Sequence, residues 1–208
     1  MKTLYTILSL LIFSLTKANG QYVQQMYTGL NDTLYYGFDY PEYKKNIYEY
    51  PLMVWLTNNN QIKDSLSICW GKYLNKNRYV TITPYLKSNK KWDISDDTTQ
   101  QSRQIKGLTN IFIGRDDVID TSVTVCGYNK AGFMAMDLKL KYPKTFNKAV
   151  IFMDDELLLK KCRPDSKIIY IIPKSLNEIA TGLNLKYFLV DRINESEFLK
   201  LSKSCILF

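Results

Sequence analysis

The sequence is notable first for a residue it lacks, because none of its 208 residues is histidine. Histidine is the side chain most often used as a general base and one of the commonest ligands of zinc. Cysteine is scarce as well, with four residues and no CxxC pair. We therefore expect neither a zinc site built from Cys and His nor any other metal or cofactor.

Long apolar runs are also scarce, and the only one lies within residues 1–20, MKTLYTILSLLIFSLTKANG. It spans about a dozen residues, whereas a membrane-spanning helix needs roughly 20. The small residues Ala18 and Gly20 follow it, as in a signal-peptide cleavage site. We predict cleavage before Gln21, a single mature domain over residues 21–208, no later membrane span, and a secreted or periplasmic location.

The charge balance is basic, with a formal net charge of +8. The lysines are scattered rather than gathered into the stripe or recognised module that nucleic-acid binding requires. We therefore expect a solvated basic surface and no nucleic-acid partner. Weak attraction to acidic envelope polymers remains open.

The predicted export decides whether the cysteines can be oxidised. An oxidising compartment would let Cys162 and Cys205 pair, since both are expected in exposed regions near the C-terminal half. Cys126 falls on a predicted central strand, where it is expected to act as a small buried apolar residue.

Strand and helix patterns alternate along the chain, which predicts parallel strands joined by crossover helices. The predicted fold is a three-layer α/β sandwich, with a mostly parallel sheet and an antiparallel N-terminal edge. The predicted strands are Tyr22–Tyr27, Thr33–Tyr40, Tyr50–Leu56, Arg78–Leu86, Val123–Cys126, Lys148–Met153, Lys167–Pro173 and Leu185–Val190. The predicted helices are Ile62–Asn75, Thr99–Ile113, Lys130–Tyr142 and Glu195–Leu201.

One strand-to-helix junction carries the pattern of a very tight turn, GYNKAG, centred on Asn129. Such a turn forces its central residue into a strained conformation and needs small neighbours, here Gly127, Ala131 and Gly132. An amide is not a useful nucleophile without a strong base nearby. Asn also tolerates a positive φ better than most residues, so a structural role for Asn129 is favoured over a catalytic one.

From about Thr33 to Met153 the chain resembles the α/β-hydrolase superfamily, above all secreted esterases and polyhydroxyalkanoate-depolymerase-like hydrolases. Three stretches carry the resemblance: EYPLMVWL before the oxyanion loop, DDVIDTSVTVCGYNKAG at the nucleophile elbow, and FMAMDLKLKYPKTFNKAVIFM after it. The resemblance implies that Asn129 stands where these enzymes carry their nucleophile.

The resemblance also implies positions for the other parts of a catalytic site. The acid region after the penultimate strand falls on Asn177 and Glu178, and the base after the last strand has no histidine to fill it. The oxyanion region falls on Thr57 and Asn58, together with the backbone N–H of Lys130. No catalytic residue of the triad is therefore expected to be intact.

Two classes of function remain open. The first is an exported non-catalytic protein that binds an unidentified ligand, such as a glycan or another envelope polymer, or serves as a scaffold. The second is a carboxylic-ester hydrolase with a rebuilt, histidine-free site. Its candidates are Lys130 or Lys174 as a base for Ser175 or Thr57, and Cys126 as a nucleophile. We interpret the aromatic cluster YYGFDYPEY, residues 35–43, as edge-strand packing in preference to a glycan-binding surface.

Overall fold

The structure is a computed structural model that describes residues 22–27, 33–39, 49–56, 79–85 and 99–191. Its elements, in chain order, are β1 (Tyr22–Tyr27), β2 (Thr33–Asp39), β3 (Tyr50–Leu56), β4 (Val80–Tyr85), α1 (Thr99–Ile113), β5 (Val118–Tyr128), α2 (Lys130–Lys141), β6 (Lys148–Phe152), α3 (Glu156–Leu159), β7 (Ile168–Pro173), a 3-10 turn (Lys174–Leu176), α4 (Asn177–Gly182) and β8 (Tyr187–Val190). The predicted signal peptide and the predicted helices Ile62–Asn75 and Glu195–Leu201 lie outside the described residues.

The eight strands form one sheet in the order β1-β2-β4-β3-β5-β6-β7-β8. β2 pairs antiparallel with both β1 and β4, and every other neighbouring pair is parallel. A mostly parallel sheet with an antiparallel N-terminal edge is the predicted fold class, and it is confirmed.

The central strands are apolar on both faces, as expected for parallel strands that are covered on both sides. In β3, Leu52, Val54 and Leu56 belong to the larger core cluster, to which α1, α2, α3 and α4 also contribute. The alternating residues Met53 and Trp55 belong to a second cluster on the other face. The two-residue period of a strand thus divides the unbroken run YPLMVWL between two cores.

Two of the three aromatic residues of β2, Tyr36 and Phe38, pack against the core. The Tyr36 and Phe112 rings meet edge to face at 6.0 Å, and the Phe38 and Phe112 rings lie 5.9 Å apart. These contacts agree with the edge-strand interpretation for the described part of the cluster. Residues 40–43 of that cluster lie outside the described residues.

Two differences from the predicted elements concern the C-terminal half. β5 is longer than predicted, because Val118 pairs with Tyr50 before an irregularity in register, and the strand continues as far as Tyr128. Its first half is polar and partly exposed, so no apolar run marked it as a strand. The short helices α3 and α4 were also not predicted, because four and six residues are too few for a helical period to show.

Candidate functional site

The predicted tight turn connects β5 to α2, and Asn129 stands between the two elements. Asn129 has φ 49° and ψ −113°, so its predicted positive φ is confirmed. Its N–H donates to Phe152 O at 2.8 Å, and its own carbonyl accepts from Phe133 N at 2.8 Å. These two bonds connect the turn to the end of β6 and to the first turn of α2.

The glycines of the turn are required by close backbone contact. A Cβ at Gly127 would lie 2.4 Å from both the carbonyl carbon and the oxygen of Ala131. A Cβ at Gly132 would lie 2.9 Å from Gly127 O and 2.9 Å from the Ile151 side chain. Both separations are shorter than atoms tolerate without movement, so the strand and the helix meet only because these side chains are absent.

The backbone angles of Asn129 change the explanation for its residue type. The left-handed helical well that Asn tolerates has ψ near +47°, whereas ψ here is −113°. This region is close to the first central position of a type II′ turn, which glycine dominates. Intrinsic tolerance of positive φ is therefore only part of the reason for an asparagine, and the rest lies in its side chain.

The side chain of Asn129 is committed to the loop that follows β6. Its Nδ2 donates to Asp154 Oδ1 at 2.5 Å. Its Oδ1 accepts from the backbone N–H groups of Asp154 at 3.0 Å and Asp155 at 3.3 Å. Donor and acceptor are both in use, so this amide clamps the ends of β5 and β6 together.

Tyr128 and Asp154 complete this cluster, and neither was among the predicted site residues. The Tyr128 hydroxyl donates to Asp154 Oδ2. Burial and this bond to the carboxylate both raise the pKa of Tyr128 above its usual value. A signal for Asp154 was present, because the pair Asp154-Asp155 directly follows a buried strand at the carboxyl edge of the sheet, where ligands bind in open α/β folds.

The predicted oxyanion residues are only partly within the described residues. Lys130 is the first residue of α2, and its side chain is exposed. Leu56, the last residue of β3, pairs with Gly127, so β3 ends beside the turn. Thr57 and Asn58 come next in the chain and lie outside the described residues.

The predicted acid region lies in α4, and its contacts lead to β8. Asn177 Oδ1 accepts from the Tyr187 hydroxyl at 2.8 Å, and Thr181 Oγ1 lies 2.7 Å from the same hydroxyl. Glu178 is exposed on α4. No hydrogen bond joins Asn177 or Glu178 to Asn129 within the part of the chain that the structure describes.

An ion pair joins the carboxyl ends of the last two strands. Lys174 directly follows β7 and Asp191 directly follows β8, and their Nζ and Oδ1 atoms lie 2.6 Å apart. Hydrogen bonding and the opposite charge raise the pKa of Lys174 and lower that of Asp191. A lysine held in this way keeps its proton at neutral pH, which argues against Lys174 as a general base.

The predicted disulfide of Cys162 with Cys205 stays a prediction. Cys162 itself is only 5% exposed, and its Sγ lies 3.5 Å from Leu158 O. The expected exposure was wrong because the apolar residues of α3 bring this segment into the core. Cys205 lies outside the described residues. Cys126 is buried, as expected, and its Sγ contacts Met53 Sδ at 3.2 Å.

The described residues contain no group of three or more His, Cys, Asp or Glu side chains arranged to hold a metal ion. Within the same residues, no helix is both long enough and apolar enough to cross a membrane.

Comparison with solved structures identifies the fold. An S-formylglutathione hydrolase from Staphylococcus aureus aligns with a TM-score of 0.63 at 10% identity, covering 90% of this chain and 97% of that one. An S-formylglutathione hydrolase from Agrobacterium tumefaciens has a TM-score of 0.63 at 12% identity, with 92% and 95% covered. A propionate-bound esterase from Thermogutta terrifontis has the same score and identity, with 92% and 95% covered.

The chain therefore has the α/β-hydrolase fold, and the solved structures it is similar to include esterases and S-formylglutathione hydrolases. No family model and no curated protein matches the sequence. At identities of 12% or less, these similarities define the fold and leave the activity to be argued from the site.

Proposed function

We propose that this protein uses an α/β-hydrolase fold for binding or scaffolding outside the cytoplasm, without hydrolysing esters. The observation that carries the proposal is the commitment of the Asn129 side chain to Asp154 and Asp155. A nucleophile must be free to approach a substrate carbonyl, whereas this amide is held by hydrogen bonds within the protein.

The composition supports the same proposal. Activation of a serine or cysteine requires an adjacent base, and the sequence contains no histidine to provide one. Where hydrolases of this fold place an acid and a base, after the last two strands, this chain has the ion pair of Lys174 with Asp191. Neither member of that pair is suited to take a proton from a nucleophile at neutral pH.

The remaining parts of the proposal concern ligand and location. A turn that presents backbone N–H groups at the start of a helix can bind a carbonyl or an anion without turning it over. Lys130, Thr57 and Asn58 are the residues we propose for that contact. The ligand class that we propose is a glycan or another envelope polymer, in keeping with the predicted export.

Hydrolysis of activated short-chain nitrophenyl esters tests the absence of catalysis. We expect the wild-type protein and the Asn129→Ser variant both to show no turnover above a heat-denatured control, because a serine here still lacks a base. Saturable turnover that disappears in Lys130→Gln or Cys126→Ala, but persists in the surface variant Lys144→Gln, would establish a rebuilt esterase site instead.

Export is tested separately by intact-mass analysis of protein from its native source. We expect the mature chain to begin within about two residues of Gln21. Recovery of a soluble intracellular protein that retains Met1 would remove this part of the proposal and leave the catalytic part unaffected.

A further inference from the structure

The last strand, β8, forms one lateral edge of the sheet, because the strand order ends with it. Among the described residues it pairs only with β7, and that pairing is regular from Tyr187 to Val190. Proteins commonly protect an edge strand with proline, charged side chains or a bulge, because its outer backbone groups can pair with another chain. The strand sequence YFLV contains neither proline nor charge. The edge is therefore suited to pairing with a further strand.

The backbone groups that point away from β7 belong to Tyr187 and Leu189. Tyr170 N donates to Lys186 O at 2.9 Å, so Lys186 directs its backbone groups towards β7. Successive residues of a strand alternate in the side to which these groups point. Phe188 therefore also faces β7, whereas Tyr187 and Leu189 direct their N–H and C=O groups outward. Within the described part of the chain, no backbone hydrogen bond reaches these outward groups.

The side chains of this edge are apolar and accessible. Phe188 is 44% exposed and Leu189 is 41% exposed, on opposite faces of the sheet. The described residues contain two other exposed large hydrophobic side chains, Ile111 and Leu157, and both lie on helices. Exposed apolar side chains thus adjoin each other on the strand whose outer backbone groups are available. This combination favours a protein strand as the partner, since main-chain bonds and side-chain contacts then form together.

The strand is complementary to a second copy of itself. In an antiparallel pair, outward-facing residues of one strand bond to outward-facing residues of the other. Tyr187 of each copy then pairs with Leu189 of the other, which gives about four backbone hydrogen bonds, two for each pair. Phe188 lies on the two-fold axis, opposite Phe188 of the second copy. Lys186 lies opposite Val190 of the second copy, so the two lysines are at opposite ends and no like charges meet.

We propose that this protein forms a two-fold symmetric homodimer through antiparallel pairing of β8, which joins the two sheets into one. Such a contact uses the same surface on both copies, as closed dimers do. A contact centred on one short strand is smaller than the roughly 1,600 Å² of a standard interface, so we expect dissociation in about the micromolar range. The proposal goes beyond the proposed function and involves no residue of the Asn129 turn.

Sedimentation velocity of the full chain over about 1–100 μM measures the dissociation constant of the dimer. We expect Phe188→Lys and Phe188→Asp each to raise that constant at least about tenfold, because each places two like charges opposite one another. An equimolar mixture of the two variants should dimerise at least about tenfold more tightly than either alone, since opposite charges then meet. The matched control Ile111→Lys changes another exposed apolar side chain, and we expect a change of less than about threefold.

A second variant tests the backbone pairing itself. Leu189→Pro removes an N–H that points outward, and proline is tolerated on an edge strand at such a position. We expect the dissociation constant to rise at least about tenfold while the fold is retained, because two bonds across the two-fold axis are lost. Leu189→Val keeps the N–H and an apolar side chain, so we expect a change of less than about threefold.

A chain that stays monomeric over this concentration range would overturn the proposal. So would a mixture of the Phe188 variants that fails to dimerise, or a folded Leu189→Pro variant that dimerises as wild type does. Equal losses in Ile111→Lys and Phe188→Lys would overturn it as well, because association would then follow apolar exposure in general. A monomeric chain that binds phosphatidylcholine vesicles through Phe188 and Leu189 would overturn it in favour of a membrane. Unchanged circular dichroism of the variants excludes loss of folding as the cause.

Discussion

The two edges of the parallel sheet differ in how their polar side chains are used. At the carboxyl edge, Asn129 and Tyr128 bind Asp154, and Lys174 binds Asp191. At the amino edge, Lys148, Lys167 and Lys186 are exposed. At one edge the polar side chains bond to one another, while at the other edge the lysines are exposed.

At the carboxyl edge, the contacts around Asn129 explain how the tight turn keeps its geometry. The tight turn between β5 and α2 persists because glycines allow the backbones to meet and because an amide bridges to the next strand. Neither requirement involves a nucleophile. The carboxyl edge is therefore expected to matter more for stability than the amino edge.

The largest effect is expected from adding a side chain where strand and helix touch. Gly127→Ala would place a Cβ 2.4 Å from the Ala131 backbone, and we expect the free energy of unfolding to fall by about 3 kcal/mol or more. Denaturant unfolding measures this loss. The matched control is Gly182→Ala, where nothing lies within 4 Å and a neutral or slightly stabilising effect is expected.

The next prediction distinguishes the contribution of the backbone conformation of Asn129 to stability from the contribution of its side chain. Asn129→Gly suits the unusual φ and ψ but removes the bonds to Asp154 and Asp155, so we expect a loss of about 1 kcal/mol. Asn129→Val also opposes the backbone conformation, and we expect a loss of about 2–3 kcal/mol. Equal melting temperatures for the two variants would show that the turn is not strained.

A smaller effect on stability is expected at alkaline pH, and it comes from the buried thiol of Cys162, which precedes β7 in the chain. Burial raises the pKa of Cys162 from 9.0 to about 12. Above pH 9 the unfolded chain releases this proton while the folded chain retains it, so stability is complete below pH 9 and falls as pH rises towards 12. We expect a slope of up to about 1.4 kcal/mol per pH unit from this group.

Comparison of wild type with Cys162→Ala tests that slope through denaturant unfolding at pH 8, 9 and 10. The variant is expected to start less stable, because a buried side chain is removed, and to lose less stability with pH. Parallel pH profiles for the two proteins would show that Cys162 contributes nothing to the alkaline dependence.

The smallest effect on stability is expected at the amino edge. The triple variant Lys148→Gln, Lys167→Gln and Lys186→Gln should change the free energy of unfolding by less than about 0.5 kcal/mol, because exposed charges contribute little to folding. Thermal melts at low and physiological salt measure it. A loss of stability comparable to that of Asn129→Val would mean that both edges of the sheet stabilise the fold, so the expected difference between them would be wrong.

The sequence by itself determined the class of fold and the place of the turn. An unbroken apolar run identified β3, because burial on both faces leaves such a run along the chain. The small residues around Asn129 identified the turn, because close backbone contact permits few alternatives. The absence of histidine was also evident without any coordinates.

Only the tertiary structure decided what the polar side chains contact. The partners of Asn129 lie 25 and 26 residues away in the chain, and Cys162 is buried because α3 packs into the core. Likewise, the lysines Lys148, Lys167 and Lys186 are spread over 39 positions, and the pairing of three parallel strands brings them to one edge of the sheet. A local pattern records whether a residue is buried in its own element, whereas these contacts depend on which strands become neighbours in the sheet.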